Sequence, residues 1–363
     1  MRRSVPVLLR SATLAARQRR SLPQTLIFFV TSRCNARCDF CLYKDSVQNP
    51  TRRREELTVE EVRRIAASYG PLHYLALSGG EPFVRRDLEA LCQAFIDECG
   101  TSVIDIPSNF AYGDVMVDTI TPLVARNPQV QVDLQLSLDQ VGHAHDESRG
   151  VAGLFERAVA AAERLAAIRD LHPNLSLKVN IVWLERNREE IEAIVAEIAR
   201  RVPFDRIHLS FPHEHLPAGG GGPELATEFD RFQRQAEQVA RRARNRFDPY
   251  AVPIRAVKLS ADRMIRRAIT GETSMGTVCE AGRNLVVIDE RGEVFPCEVI
   301  WRSVGNLRDH QYDVGAVLGG DAYEEFREEH LGPGRCNCTW SCAPLAAVSV
   351  TPSRYPRVAA DAG

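Results

Sequence analysis

The chain has 363 residues, 44% of them hydrophobic and 26% charged, with a formal net charge of −2. That leaves room for one large α/β domain and a smaller one around a sizeable core. A near-neutral balance gives no case for nucleic acid as a partner, and no apolar run approaches the roughly 18 residues of a membrane span.

Residues 1–24 carry Arg2, Arg3, Arg10, Arg17, Arg19 and Arg20, ahead of the first acidic residue, Asp39. Arg10 interrupts the apolar stretch, so this is not a secretory signal. The segment reads either as a solvated helix covering the bottom of the next domain or as a basic arm making peripheral membrane contact. Ten cysteines without a secretory signal favour metal or catalytic roles in a reducing, cytoplasmic setting over disulfides.

From residue 25 to about 212, short apolar runs alternate with helical ones. Strands are expected over 25–30, 74–77, 103–106, 132–138, 175–182 and 206–211. Helices are expected over 58–68, 86–98, 114–126, 154–171 and 188–201, with Thr58 before Glu61 and Asn187 before Glu190 as start signals. Six strands with intervening helices argue for a parallel sheet, and the length fits a partial (β/α)6 TIM-like barrel better than an eight-fold one. Residues 217–223 form a glycine-rich break; helical patterns follow over 227–246 and 260–270. Further on, 284–289 and 293–296 flank a turn at Glu290-Arg291-Gly292, and 321–330 reads as a helix. The expected class is α/β, a partial barrel with a small C-terminal cysteine-rich α+β domain. The expected organisation is a basic segment (1–24), barrel (25–215), helical linker (216–275), cysteine-rich domain (276–345) and tail (346–363).

Cys34, Cys38 and Cys41 fall at C-x3-C-x2-C on the loop after the first strand. Ligands collect at strand C-termini in α/β folds. Three thiolates there can hold three corners of a [4Fe–4S] cubane and leave one iron open. A structural zinc site, with Asp39 or a distant His as fourth ligand, is the alternative. A second set, Cys279, Cys297, Cys336, Cys338 and Cys342, lies in a region with little apolar core, which suggests a metal centre holding it together. Four ligands suffice for zinc or a cluster. The preferred set is Cys279, Cys297 and Cys342 with either Cys336 or Cys338. Cys92 and Cys99 lie on a helical pattern and read as buried core residues.

Every expected strand ends in polar groups. Ser78-Gly79-Gly80-Glu81-Pro82 closes the second, where glycines let backbone approach a ligand and amides bind it. Ser108-Asn109 closes the third and Ser137-Leu138-Asp139 the fourth; Asn180 lies in the fifth. His213, Glu214 and His215 follow the sixth and are candidate proton donors or acceptors, or plain loop residues. His143, His145 and Asp146 share that ambiguity; Arg149 pairs with Asp146 or reaches a ligand carboxylate.

Together these motifs resemble the radical S-adenosylmethionine (SAM) superfamily: the C-x3-C-x2-C loop with Phe40 before its last cysteine, Gly79-Gly80-Glu81-Pro82, Ser137-Leu138-Asp139, and His145-Asp146-x-x-Arg149-Gly150. The resemblance covers about residues 25–215. It implies that Cys34, Cys38 and Cys41 bind a [4Fe–4S] cluster whose open iron chelates SAM. Gly79, Gly80 and Glu81 would then hold the SAM amino end, and Ser137 and Asp139 its ribose or carboxylate region, with Asn109, Arg149 and Asn180 as further contacts. Phe110 stands where a glycine often follows the asparagine. The C-terminal C-x12-G-x4-C pattern with Gly305-Asn306-Leu307 resembles the SPASM/twitch type of auxiliary domain. Five cysteines rather than seven suggest one auxiliary [4Fe–4S] cluster.

The resemblance implies reductive SAM cleavage to a 5′-deoxyadenosyl radical that takes hydrogen from a substrate, with an electron donor such as flavodoxin or ferredoxin. An unidentified small organic substrate, oxidised or rearranged, is the first reading, since 24 residues before the first strand are few for a leader-binding domain. A maturase that cross-links or oxidises a ribosomal peptide is the second. A non-catalytic zinc-stabilised protein is the alternative of another class.

Overall fold

The computed structural model describes residues 22–49, 55–217, 219–242, 251–272, 279–332 and 335–342. The tail and nearly all of the basic N-terminal segment lie outside the described residues, as does 243–246 at the end of the expected linker helix.

Six strands form the parallel frame: β1 (Thr25–Thr31), β2 (Tyr74–Gly79), β3 (Val103–Ser108), β4 (Gln131–Ser137), β5 (Leu175–Val182) and β6 (Arg206–Ser210). They pair in order, each parallel to the next, so all six C-termini open at one end. In β5, Leu175, Leu177, Val179 and Ile181 are buried, while Ser176, Lys178, Asn180 and Val182 alternate on the other, half-buried face. The apolar face meets the crossover helices. Among these are α1 (Lys44–Gln48), α2 (Val59–Tyr69), α3 (Leu88–Cys99), α4 (Gly113–Arg126), α5 (Gly142–Arg149), α6 (Leu154–Leu171) and α7 (Ile191–Arg201). Cys92 and Cys99 are buried in α3, as expected.

The α2 start is a full capping box: Thr58 accepts from the Glu61 amide and Glu61 from the Thr58 amide. Asn187 does not cap α7. Its amide group instead donates to the Asp139 and Val182 carbonyls at 2.9 and 2.8 Å, and α7 starts later, at Ile191. The start signal fails because two buried carbonyls compete for that side chain.

The next elements are β7 (His215–Leu216), α8 (Gly222–Arg242) and α9 (Ala251–Ile269). The expected hairpin is β8 (Leu285–Ile288) and β9 (Val294–Phe295), antiparallel, with Gly292 at φ +86° in its turn. Two short helices, α10 (Val314–Leu318) and α11 (Asp321–His330), precede β10 (Asn337–Cys338). The hairpin extends the barrel's own sheet: β8 runs parallel to β1, from Thr25↔Leu285 to Phe28↔Ile288. At the other side β10 pairs with β7, setting Cys338 opposite His215.

The inner face holds a buried charge network. Lys178 in β5 pairs with Asp133 in β4 and lies 3.5 Å from Asp105 in β3. Burial pushes the Asp105 carboxyl up, against the pull of Lys178. Lys178→Met leaves two acids without their central cation. A loss of about 3–5 kcal/mol is expected in urea unfolding at neutral pH; a loss below about 1 kcal/mol would show that the acids find another partner.

Candidate functional site

The loop after β1 is tied down at nearly every residue. Arg33 forms two 3.0 Å bonds to Glu56. Asn35 accepts from the Asn109 amide group at 2.9 Å, and the Arg37 amide donates to the Arg149 carbonyl at 2.9 Å. Arg186, in the loop after β5, bonds both Asp39 oxygens at 2.7 Å. The Phe40 ring has the Arg149 and Arg186 guanidinium carbons 5.3 and 5.5 Å from its centroid. The loop therefore draws on the ends of β1 and β3, on α5 and on the β5 exit.

The glycines at the β2 exit pack directly against this loop. A Cβ on Gly79 would lie 2.3 Å from the Thr31 carbonyl oxygen, and one on Gly80 would lie 2.1 Å from that of Arg33. The Gly80 and Glu81 amides donate to those carbonyls at 2.7 and 2.8 Å. Those two amides are therefore taken up within the protein. The Glu81 carboxylate is also engaged: it is buried and accepts from Ser108 Oγ at 2.8 Å, the Asn109 amide at 2.8 Å and the Phe83 amide at 3.2 Å. Phe110 takes φ +59°, so the asparagine loop keeps the left-handed turn a glycine would allow, at a strain of roughly 1–2 kcal/mol.

Asp139 is wholly buried. One oxygen accepts from Arg149 Nη2 and the other from the Val182 amide at 2.9 Å. Both Asp139 oxygens are thus taken within the protein. Of the two alternatives for Arg149, the pair with Asp146 is not formed; Asp146 accepts from the Gly153 and Phe155 amides at 2.6 and 2.8 Å. Ser137 stays half-buried on the inner face beside Asn180, whose side chain accepts from Ser210 at 2.5 Å. His143 is exposed beside Glu147, and His145 is buried edge-on to Phe155.

Burial pushes the Cys34 thiol up to about 12, with smaller contributions from Glu81, Cys38 and Cys41. It raises Cys38 and Cys41 as well, with Arg149 opposing at Cys38. Three mutually close, desolvated thiols ionise only against a compensating cation. Three soft donors on one loop are the set that an iron–sulfur cubane held by three corners takes.

The second cysteine set is sorted by the fold. Cys279, Cys297, Cys336 and Cys338 line one pocket with His215, His330 and Trp340. Burial raises all four thiols, and Cys279, Cys297 and Cys336 together push Cys338 up further. Cys279 Sγ accepts from the Ala281 amide at 3.4 Å, and Cys297 Sγ from the Val299 and Ile300 amides at 3.4 and 3.5 Å. Cys342 stands apart, beside Glu298, Asp105 and Trp340. The pocket thus takes in both Cys336 and Cys338, where the expected set had one of them, and Cys342 lies outside its lining. The alternation across β10 and its bridge to β7 decide this.

His213, Glu214 and His215 do not gather as an acid–base group at the first loop. His213 packs against Trp340 and burial drops it to about 4; the Glu214 backbone bonds to Thr339; His215 lines the second pocket. Sequence reasoning missed Arg186, Glu298 and Trp340. Burial pushes Glu298 up to about 7, with Trp340 close by. Trp340 lies between Cys338 and Cys342 and Glu298 follows Cys297, but no spacing of their own marks either residue, or Arg186.

A model of the Radical SAM superfamily matches residues 28–211, and one for an iron–sulfur cluster-binding domain matches residues 279–343. The chain is 24% identical over 326 residues to an AdoMet-dependent heme synthase of Methanosarcina barkeri, covering 86% of this chain and 87% of that one. It is 30% identical over 200 residues to a PqqA peptide cyclase of Rhizobium meliloti, covering 53% of this chain and 48% of that one. The fold is similar to Streptococcus suis SuiB bound to S-adenosylmethionine, with a TM-score of 0.60 at 17% identity, covering 88% of this chain and 71% of that one. No helix among the described residues is long and apolar enough to cross a membrane.

Proposed function

The chain belongs to the radical SAM superfamily, and from that premise we propose that Cys34, Cys38 and Cys41 hold the SAM-binding [4Fe–4S] cluster. Cys279, Cys297, Cys336 and Cys338 hold one auxiliary cluster. The observation that carries this reading is the separation of the cysteines into three on a loop pinned at the sheet's C-terminal mouth and four around one pocket. When bound, cluster and SAM supply a 5′-deoxyadenosyl radical that takes hydrogen from substrate. The chain's own residues do the rest. Gly79 and Gly80 seat the cysteine loop, Asn109 and Arg186 hold its two ends, and Ser137 and Asn180 face the inner space where SAM and substrate meet. His213 packs against Trp340, which lies beside Glu298.

The substrate is a small polar organic molecule, a reading supported by the polar inner faces of β4 and β5. The likeness to a peptide cyclase favours a ribosomal peptide as the second reading. The test is anaerobic purification followed by reduction with SAM present. The protein should carry about eight irons, the sum of two four-iron clusters, and release 5′-deoxyadenosine; a colourless zinc protein would end the proposal. Release stimulated by a precursor peptide, and not by small molecules, would shift the assignment to the second reading.

The auxiliary set makes its own prediction. Cys336→Ala and Cys338→Ala should each lose about half the iron by colorimetric assay, the share of one four-iron cluster. Cys342→Ala should keep all of it. Iron loss in Cys342→Ala with retention in Cys336→Ala would restore the set expected from spacing.

A further inference from the structure

We propose that Arg149, braced by Asp139, sets the reduction potential of the cluster at Cys34, Cys38 and Cys41 by presenting a buried cation to the Cys38 sulfur. The proposal rests on the cluster assignment above.

Arg149 Nη1 lies 3.7 Å from Cys38 Sγ, donating toward it, while Nη2 bonds the wholly buried Asp139. The second Asp139 oxygen is held by the Val182 amide at 2.9 Å, so the carboxylate is fixed to the sheet. The Arg149 carbonyl accepts from the Arg37 amide at 2.9 Å, so the residue is fastened to the cysteine loop by backbone as well as side chain. Phe40 covers one face of the guanidinium, and Nε is buried without a hydrogen-bond partner. A guanidinium keeps its proton in proteins, so this is a permanent charge.

Reducing a cluster adds one negative charge. A nearby cation and an N–H···S bond both favour the reduced form, and water-poor surroundings screen them little. Arg149 therefore raises the potential. Asp139 lies on the guanidinium's other arm and offsets part of that charge. The two residues should thus act with opposite signs, which a merely structural role would not produce. Nor would a contact to the SAM carboxylate show this pattern with SAM absent.

The test uses the full chain reconstituted anaerobically with iron and sulfide. Midpoint potentials are read by EPR-monitored titration without SAM, and the signal that added SAM perturbs identifies the cluster concerned. Arg149→Gln should make its reduction about tenfold less favourable, a fall of ~59 mV for one electron. Asp139→Asn should shift the same signal upward, and Arg149→Lys should fall between wild type and Arg149→Gln. The auxiliary cluster's potential should not move in any of the three. Should Arg149→Gln lose iron, the shifts in Arg149→Lys and Asp139→Asn decide. Unchanged potentials, or shifts of one sign in all three variants, overturn the proposal while leaving the cluster assignment intact. Retention of all iron and of the SAM-perturbed signal in Cys38→Ala overturns the assignment and the proposal together.

Discussion

Replacing Cys38 by alanine is expected to abolish 5′-deoxyadenosine release under reducing conditions with SAM and to remove about half the bound iron, one cluster of two. The loop offers no substitute ligand: Asp39 is committed to Arg186 through both oxygens. Cys38 is also the sulfur that Arg149 Nη1 faces, so the variant takes that contact away while Nη2 keeps Asp139. The fold should persist, because the loop's backbone bonds to Arg149 and the β2 exit do not involve the sulfur. Unaltered far-UV circular dichroism with lost cleavage is the expected pair of results. Undiminished cleavage would refute the assignment of this loop.

Gly80→Ala should be nearly as damaging without touching a ligand. The added methyl group would meet the Arg33 carbonyl oxygen at 2.1 Å and its carbon at 2.6 Å. Both are backbone atoms, so no flexible side chain can swing away. Either the β2 exit or the cysteine loop must shift, breaking the Gly80–Thr31 and Glu81–Arg33 bonds. Strain of this kind costs about 1–3 kcal/mol, and the two lost bonds add about 1 kcal/mol each. Gly100→Ala is the control. Gly100 has φ +61° and nothing within 4 Å of the added methyl, so it tests backbone strain alone, at roughly 1–2 kcal/mol. Urea unfolding measures the first effect, and iron content measures the second. Gly80→Ala should lose iron from the SAM-perturbed cluster, whereas Gly100→Ala should lose none. Equal iron in the two variants would mean that the glycine pair does not seat the loop.

Much of the fold was legible because local patterns report burial directly. The alternation in Leu175–Val182 and the helical period in Leu154–Leu171 each mark the face that meets the core, and both elements lie where the periods place them. The Thr58–Glu61 box was legible for the same reason, since cap and partner are three residues apart. Asn187 showed the limit of such signals: its side chain is claimed by Asp139 and Val182 carbonyls, and Asp139 is 48 residues away.

The site divides along the same line. Spacing identified the cysteine loop, because three cysteines on one short loop is a local fact. It also marked the glycine pair, but not its purpose; the methyl-sized gaps are filled by backbone at the end of β1 and in the cysteine loop. Asp139 and Arg149 were picked out as polar residues of two successive motifs, yet their partners, Val182 and Cys38, lie 43 and 111 residues away.

By itself the sequence determined the parallel α/β frame, the superfamily and the loop on which three cysteines stand. These depend on periodicity and short spacing, which survive without knowledge of distant contacts. Tertiary structure decided which four of five C-terminal cysteines share a pocket, that β8 lengthens the barrel's sheet beside β1, and that Arg149 faces a sulfur. Each of those depends on which remote backbone a segment pairs with. Pairing of that kind follows from burying whole faces together, so no local stretch carries enough information to specify it.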